Sequence, residues 1–292
     1  MPKWAVSSGV ALAVLAGAIA VAPASAYGAQ TATSLAQAAA PASYKGVAIV
    51  AGPDVNADLA ASGASWYYDW GATPSSIKTP RGVAFVPMIK TGSNVNTATL
   101  NEVKREGKYL LGFNEPDEKN EANMSVATAL RLWPRLEATG MELGSPAVSY
   151  GTNSTTSWIG QFMRGAKSRH YRVNFITVHW YGQHNWTNPT ANVNELKTYL
   201  EQTYRLYHLP IWITEFSLIN FQGREPTYAT ASQEAVFLTA ATKMLTGLPY
   251  VQRYAWYTLT DKQTAGNTIL YTHGPTTATA VEKVFKKAPT RA

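Results

Sequence analysis

The chain has 292 residues, 46% of them hydrophobic, which is enough to bury the core of one large domain. It contains no cysteine, and this excludes a disulfide framework, a thiol nucleophile and metal sites built on thiolates. The formal net charge is +7, but the basic runs are short, as at Lys104-Arg105 and Lys286-Lys287, so we expect no nucleic-acid partner.

The first 43 residues carry signals for export. Lys3 precedes an apolar run from 9 to 22, and Ala24-Ser25-Ala26 then offers a small-residue cleavage site. The run is shorter than the roughly 20 residues that a membrane-spanning helix needs. We therefore expect a signal peptide over 1–26, a flexible leader over 27–43, and a secreted, extracellular protein without membrane attachment after cleavage.

From residue 44 onward, short β-rich apolar runs alternate with longer segments of helical periodicity. This alternation is typical of βα units around a parallel sheet. The eight runs are Gly46–Ala51, Ser65–Trp70, Val83–Ile89, Tyr109–Phe113, Leu143–Val148, Phe175–Trp180, Ile211–Phe216 and Arg253–Thr258. Eight such runs predict an α/β fold, a (β/α)8 barrel that forms a single catalytic domain over 44–292.

Several helix starts are predicted from capping residues. Thr99, Asn192 and Thr230 each precede a glutamate or glutamine by three positions, as in a capping box, and Ser125 can cap the segment after it. Pro134 lies inside the apolar stripe that follows Ser125. We expect it to kink or end that helix, because proline lacks the backbone N–H that a helix interior needs.

Two glutamates directly follow predicted strands four and seven. Glu115 lies in Asn114-Glu115-Pro116-Asp117, and Glu215 lies in Thr214-Glu215-Phe216. The C-terminal strand ends of such barrels form the active site, and a carboxyl group held there loses hydration. Environments of this kind keep one acid protonated while another stays ionised, which indicates a glycosidase. Either glutamate alone could instead form an ion pair at the barrel rim.

Other polar and aromatic residues near the strand ends are candidates for contacts with a sugar. His179 and Tyr181 share one face of predicted strand six, so both can reach a bound ligand if that face is the lumen. Flat amphipathic rings suit stacking on sugars, although each could simply pack in the core. The tryptophan candidates are Trp66, Trp70, Trp180 and Trp256. The histidines have no zinc-binding spacing, and we expect neither a metal nor a cofactor.

The segment Leu110-Leu111-Gly112-Phe113-Asn114-Glu115-Pro116-Asp117, followed by Ala122-Asn123-Met124-Ser125, resembles glycoside hydrolase family 128. Further matches follow in chain order near the other strand ends, and the likeness extends over about residues 44–285. They are Trp66-Tyr67-Tyr68-Asp69-Trp70, Phe85-Val86-Pro87-Met88, Gly144-Ser145-Pro146-Ala147-Val148, Val178-His179-Trp180-Tyr181-Gly182, Pro210-Ile211-Trp212-Ile213-Thr214-Glu215-Phe216 and Arg253-Tyr254-Ala255-Trp256.

This resemblance implies a barrel of the large retaining glycosidase clan and an endo-acting hydrolase of β-1,3-glucan. It also implies that Glu115 is the acid/base and Glu215 the nucleophile. Retaining enzymes hold two carboxyl groups about 5–5.5 Å apart on either side of the scissile bond. Asn114 is expected to donate a hydrogen bond to the sugar 2-hydroxyl. The expected partner is a β-1,3-glucan oligosaccharide or polysaccharide, and the expected state is a monomer.

Two alternatives stay open. The same pair of glutamates could cleave another β-glycan, because groove shape sets the linkage, and a barrel without catalysis could bind cell-wall glucan. The chain also departs from its relatives after Ile89, where Lys90 replaces the tryptophan that many of them carry. We therefore expect an aromatic subsite to be missing there or replaced by a polar contact.

Overall fold

Eight parallel strands form a (β/α)8 barrel in the computed structural model, which describes residues 44–260, 266–272 and 277–290. The predicted signal peptide over 1–26 and the leader over 27–43 lie outside the described residues. The barrel strands are β1 (Lys45–Ala48), β2 (Trp66–Tyr68), β3 (Ala84–Phe85), β4 (Tyr109–Leu110), β5 (Glu142–Leu143), β6 (Ile176–Tyr181), β7 (Ile211–Ser217) and β10 (Val251–Tyr257). The strand predictions are thereby confirmed, each within a few residues.

The strands close into a ring through two kinds of pairing. Six of them form one sheet in the order β3-β2-β1-β10-β7-β6, and β4 pairs with β5. Isolated bridges from Met88 to Leu111 and from Gly144 to Phe175 join these two sheets at both edges. After β7, the short strands β8 (Ile219–Asn220) and β9 (Thr227–Tyr228) add an antiparallel hairpin.

Helices cover the outside of the barrel. In the described residues they are α1 (Val55–Ser62), α2 (Thr97–Glu106), α3 (Val126–Glu137), α4 (Trp158–Ser168), α5 (Pro189–Tyr207), α6 (Ala231–Thr246) and α7 (Ala280–Lys287). The connection from β2 to β3, residues 69–83, contains no helix, so one of the eight helices expected of the fold is missing. None of the described helices is long and apolar enough to cross a membrane.

Two of the four predicted helix starts agree with the structure. Ser125 caps α3 and Thr230 forms a capping box with Gln233, as predicted. The starts predicted at Thr99 and Asn192 are wrong. Helix α2 begins earlier because the side chain of Asn96 accepts from Thr99, and α5 begins earlier because Asn188 caps it and Pro189 occupies its first turn. Helix α3 passes through Pro134 and ends three residues later, at Glu137.

Alternation along the strands separates two layers of side chains. On β6, Ile176, Val178 and Trp180 belong to the core between barrel and helices. Thr177, His179 and Tyr181 therefore face the barrel interior. At the N-terminal strand ends the interior is filled by a cluster that we call the floor, and its members are Trp66, Tyr109, Phe175, Trp212 and Arg253. We call the opposite end, at the C-terminal strand ends, the mouth.

A β-bulge in β7 decides which residues reach the mouth. Val178 pairs with Ile213, but the next residue, His179, pairs with Glu215, so Thr214 is an extra residue. Ile213 packs toward the helices, and strict alternation would turn Glu215 in the same direction. The extra residue changes the phase, so Glu215 faces the interior beside His179.

Candidate active site

His179 lies between the two glutamates at the mouth. Its Nδ1 is 2.7 Å from Oε1 of Glu115, and its Nε2 is 3.4 Å from Oε1 of Glu215. One oxygen or nitrogen atom from each of the three side chains lies within 4.8 Å of the other two. The structure therefore brings together three of the residues that the sequence placed in the site, although they come from three different strand ends.

Glu115 is held in an unusual backbone conformation just beyond β4. Its φ is 39°, in the left-handed region that side-chain-bearing residues seldom adopt, and its N–H donates to the carbonyl of Ala147 over 2.6 Å. Such strain is concentrated at functional sites. Burial raises the pKa of the Glu115 carboxyl, while the hydrogen bond and positive charge of His179 act against that rise.

Glu215 is almost completely buried and is surrounded by hydrogen-bond donors. Tyr68 donates its hydroxyl to Oε1 over 2.9 Å, and Trp70 donates its indole N–H to the same oxygen over 3.0 Å. The hydroxyl of Tyr181 donates to Oε2. An ionised carboxylate only accepts hydrogen bonds, and these three donors suit that form of Glu215.

The charges of the two glutamates also shift the pKa values of the side chains around them. Burial lowers the pKa of His179, but the negative charges of Glu215 and Glu115 outweigh it, so the net shift is upward. Burial and the charge of Glu215 raise the pKa values of Tyr68 and Tyr181 well above normal. Both tyrosines therefore stay neutral donors at any pH at which the protein would work.

Asn114 lies just before Glu115 and is buried. Its Nδ2 donates to Oε2 of Glu121 over 3.1 Å, and Lys90 forms an ion pair with the same oxygen at 3.3 Å. Its Oδ1 has no hydrogen-bond partner among the described residues. The ammonium group of Lys90 thus pairs with Glu121, and the loss or polar replacement of an aromatic sugar subsite at this position stays a prediction.

The predicted tryptophans divide into one that reaches the site and three that do not. Trp70 contacts Glu215, as described above. The other three are fully or almost fully buried in the core, so the expectation that they stack on sugar is wrong. Trp66 lies in the floor at the start of β2, Trp180 packs on Phe237 of α6, and Trp256 packs on Phe216 and Phe237. Trp180 and Trp256 lie on the outer faces of their strands.

Sequence reasoning missed several residues around Glu215. Tyr68 donates to it directly, and the ring of Tyr257 lies 6.2 Å from that of Trp70 and 5.7 Å from that of Tyr181. Phe221, after β8, continues this aromatic arc against Tyr181 and is 44% exposed. Alternation could have found Tyr68, since it lies two residues from Trp70. Tyr257 could not be found, because its orientation depends on a second register shift between Val251 and Arg253.

The arrangement can perform acid–base and nucleophilic chemistry at one point. Two carboxyl groups this close together can act on one bond, one by attack on carbon and the other by proton transfer. The raised pKa of Glu115 suits proton transfer, and the hydrogen-bond donors around the buried Glu215 suit an ionised carboxylate that attacks carbon. The same three side chains are also close enough to ligate an ion, but the hydrogen bond between Glu115 and His179 and the three donors around Glu215 already account for their positions.

Comparison with known proteins places these features in a family. The family model described as the glycosyl hydrolase catalytic core matches residues 46–284. The structure is similar to a crystal structure of a subgroup I family 128 endo-β-1,3-glucanase from Amycolatopsis mediterranei, a glutamate-to-alanine mutant in complex with laminaripentaose. The TM-score is 0.80 at 44% identity, over 85% of this chain and 100% of that one.

Two further relatives are more distant. A subgroup II family 128 endo-β-1,3-glucanase from Sorangium cellulosum has a TM-score of 0.69 at 26% identity, over 85% of this chain and 100% of that one. Alkali-sensitive linkage protein 1 of Schizosaccharomyces pombe is 28% identical over 231 residues, which cover 76% of this chain. The chain spans 40% of the length of that curated relative. With its barrel and two facing glutamates, the chain belongs to glycoside hydrolase family 128.

Proposed function

We propose that this protein is an endo-acting β-1,3-glucanase that hydrolyses its substrate with retention of configuration. The observation that carries the proposal is the placement of Glu115 and Glu215, whose oxygens lie within 4.8 Å of each other on two sides of His179. Retaining glycosidases hold their carboxyl groups about 5–5.5 Å apart, whereas inverting ones leave about 6.5–9.5 Å for a water molecule. The separation therefore supports direct attack by one glutamate.

Glu215 is the nucleophile in this mechanism. Its carboxylate attacks the anomeric carbon, the glycosidic C–O bond breaks, and a covalent glycosyl-enzyme forms. Tyr68, Trp70 and Tyr181 hold the carboxylate oxygens in place before the attack. Because the three donors are fixed by the barrel, little reorganisation is needed when charge leaves the carboxylate.

Glu115 is the acid/base. It starts protonated, which its raised pKa favours, and it gives that proton to the departing oxygen. In the second half of the reaction it accepts a proton from water, which attacks the anomeric carbon and releases Glu215. His179 lies between the two carboxyl groups and orients Glu115 through the hydrogen bond between its Nδ1 and Oε1 of Glu115.

The substrate class rests on the relatives and on the site. Family 128 relatives are β-1,3-glucanases that were crystallised with laminari-oligosaccharides. In this chain Trp70 and the exposed Phe221 offer ring faces along the mouth. Asn114 contacts the sugar 2-hydroxyl through its open Oδ1 and not, as the sequence led us to expect, as a donor, because its NH₂ group already donates to Glu121. We further propose that the protein is exported by its N-terminal signal and acts on the glucan as a monomer, without a metal or cofactor.

The test is the product profile of the purified protein on β-1,3-, β-1,4- and mixed-linkage glucans, with Glu215→Ala as the control. The proposal expects a ladder of short oligosaccharides from β-1,3-glucan and no turnover by the variant. Cleavage of β-1,4-glucan alone would assign a different linkage. Binding of β-1,3-glucan without hydrolysis would instead assign a glucan-binding protein, and release of glucose from one chain end would assign exo action.

A further inference from the structure

A chain of polar contacts leads from the barrel rim to Asn114. Lys90, at the end of the β3 segment, contacts Asn114 through its backbone and Glu121 through its side chain. Its backbone carbonyl accepts from the N–H of Asn114 over 2.9 Å, and its ammonium group lies 3.3 Å from Oε2 of Glu121. That same oxygen accepts from Nδ2 of Asn114 over 3.1 Å. The three side chains thus meet at one carboxylate oxygen.

The chemistry of Glu121 determines how the amide of Asn114 is turned. An ionised carboxylate can only accept hydrogen bonds, so the end of the amide that faces Glu121 must be its NH₂ group. The carbonyl Oδ1 is then turned away from Glu121. It is buried without a hydrogen-bond partner among the described residues. A buried acceptor without a partner is costly, and at a binding site its partner can arrive with the ligand.

The ion pair between Lys90 and Glu121 is not needed to hold the local fold. Both side chains are more than 30% exposed, at 41% and 33%, and ion pairs at such positions contribute little to stability. The turn that carries Glu121 is held by its backbone, since the N–H of Ala122 donates to Asn114 and that of Met124 donates to Pro116. The contacts of Glu121 therefore serve Asn114 more than the turn.

We propose that Glu121, held by Lys90, is a positioning residue that keeps the Asn114 amide in a single orientation, with its carbonyl oxygen left to accept a hydrogen bond from a sugar hydroxyl. The inference rests on the proposed function, because it assigns Asn114 to a bound sugar. A glutamine at position 121 would remove this control, since its own amide can both donate and accept, and either end of Asn114 could then face it.

The charge of Glu121 also reaches the acid/base. The pKa of Glu115 is raised first by burial, and the negative charges of Glu215 and Glu121 act in the same direction, whereas His179 opposes them. Loss of the Glu121 charge therefore lowers the pKa of Glu115. Because Glu115 must be protonated to work, the alkaline limb of the pH–rate profile moves to lower pH in such a variant.

The test compares Glu121→Gln, Glu121→Asp and Glu118→Gln with the wild type, by kcat/KM on a β-1,3-gluco-oligosaccharide across pH at a temperature where each is folded. Glu118 is the matched control, because it lies in the same turn but contacts Ser149 instead of Asn114. We expect Glu121→Gln to lower kcat/KM about tenfold, as modest misplacement of a binding group does, and to move the alkaline limb to lower pH. Glu118→Gln changes neither.

Glu121→Asp separates contact from charge. It keeps the negative charge but is shorter by one methylene, so it lowers kcat/KM while the alkaline limb stays where it is in the wild type. A double-mutant cycle with Asn114→Ala completes the test. In that background Glu121→Gln should have almost no further effect on kcat/KM at pH values below the alkaline limb, whereas the shift of the limb should persist because it acts on Glu115 directly.

The inference is overturned if Glu121→Gln keeps the wild-type kcat/KM, or if its effect is fully retained in the Asn114→Ala background. The proposed function is judged separately, by whether the wild type hydrolyses β-1,3-glucan at all. If the wild type prefers another β-glycan, the same ratios between variants are measured on that glycan. Either claim can therefore fail without the other.

Discussion

The floor and the mouth of the barrel both bury charged groups among aromatic rings, but different interactions stabilise the charge in the two places. At the floor, the guanidinium of Arg253 lies 4.1 Å from the ring of Trp212 and 4.6 Å from that of Tyr109. Its Nε and Nη1 have no hydrogen-bond partner in the described part of the chain, and burial lowers the pKa of Arg253 to about 10. The rings stabilise this cation by their faces.

At the mouth, charged groups contact each other and a set of donors. Glu115 is hydrogen-bonded to His179, Nε2 of His179 lies 3.4 Å from Glu215, and Tyr68 and Tyr181 donate hydrogen bonds to Glu215. The contrast shows that packing holds the side chains of the floor in position, whereas converging hydrogen bonds hold those of the mouth. Substitutions at the mouth should therefore change the rate with little effect on folding, and substitutions at the floor should do the reverse.

The largest effect on rate is expected for Glu215→Ala. Without the nucleophile the covalent step is lost, and kcat should fall on the order of 10⁴-fold or more, as in other enzymes that lose their nucleophile. Thermal unfolding of the variant should stay close to that of the wild type. Addition of azide offers a check, since a small anion in the vacated space should restore turnover of an activated aryl glycoside with inverted configuration.

Glu115→Gln should have the next largest effect. Proton transfer contributes about 10²–10⁴-fold, so kcat on natural glucan should fall by that amount. The wild type loses activity as pH rises through the raised pKa of Glu115, and the variant has no such proton to lose, so its residual activity should lack the alkaline limb. An aryl glycoside whose leaving group needs no proton should form the glycosyl-enzyme at nearly the wild-type rate. Equal loss on both substrates would contradict the acid role.

Tyr181→Phe tests the donors around Glu215. The variant keeps the ring but loses the hydroxyl that donates to Oε2. Loss of one hydrogen bond to a charged group should lower kcat about tenfold. Tyr254→Phe is the matched control, because Tyr254 lies on the outer face of β10 and packs on Phe216. A similar loss in both variants would show that the hydroxyl of Tyr181 has no special role.

The smallest effect on rate is expected at the floor. Trp212 is fully buried against Phe175, Tyr109 and Arg253. Its replacement by alanine should lower the free energy of unfolding by about 3–5 kcal/mol, as large cavities in cores do. The kcat of the folded variant, measured well below its unfolding temperature, should stay close to the wild-type value. Trp212→Phe should lower the free energy of unfolding by less, because it leaves a smaller cavity. A large loss of kcat in the alanine variant would contradict the separation between floor and mouth.

The sequence predicted the barrel and both glutamates because these depend on local patterns. Apolar runs alternate with helical segments, and a carboxyl group directly after a buried strand has a known place in a parallel barrel. The position of an individual ring also depends on how far along its strand the residue lies. Trp66 and Trp70 share a face of the β2 segment, yet four residues of length separate the floor from the mouth, so one is core and the other contacts Glu215.

Bulges explain the remaining misses. The extra residue at Thr214 turns Glu215 into the lumen, and the register shift after Val251 turns Tyr257 inward and Trp256 outward. Periodicity alone assigns a phase but does not reveal where that phase changes. The contact between Asn114 and Glu121 was also missed, since it joins a strand end to a turn whose path no periodic pattern describes.

The stereochemistry of the first product distinguishes direct attack by Glu215 from attack by water. Proton NMR during the first minutes of hydrolysis of a β-1,3-gluco-oligosaccharide reports the anomer before mutarotation. Because the two carboxyl groups are too close to hold a water molecule between one of them and the sugar, the wild type should release the β-anomer first. Initial release of the α-anomer would show inversion and would contradict the assignment of Glu215 as the nucleophile.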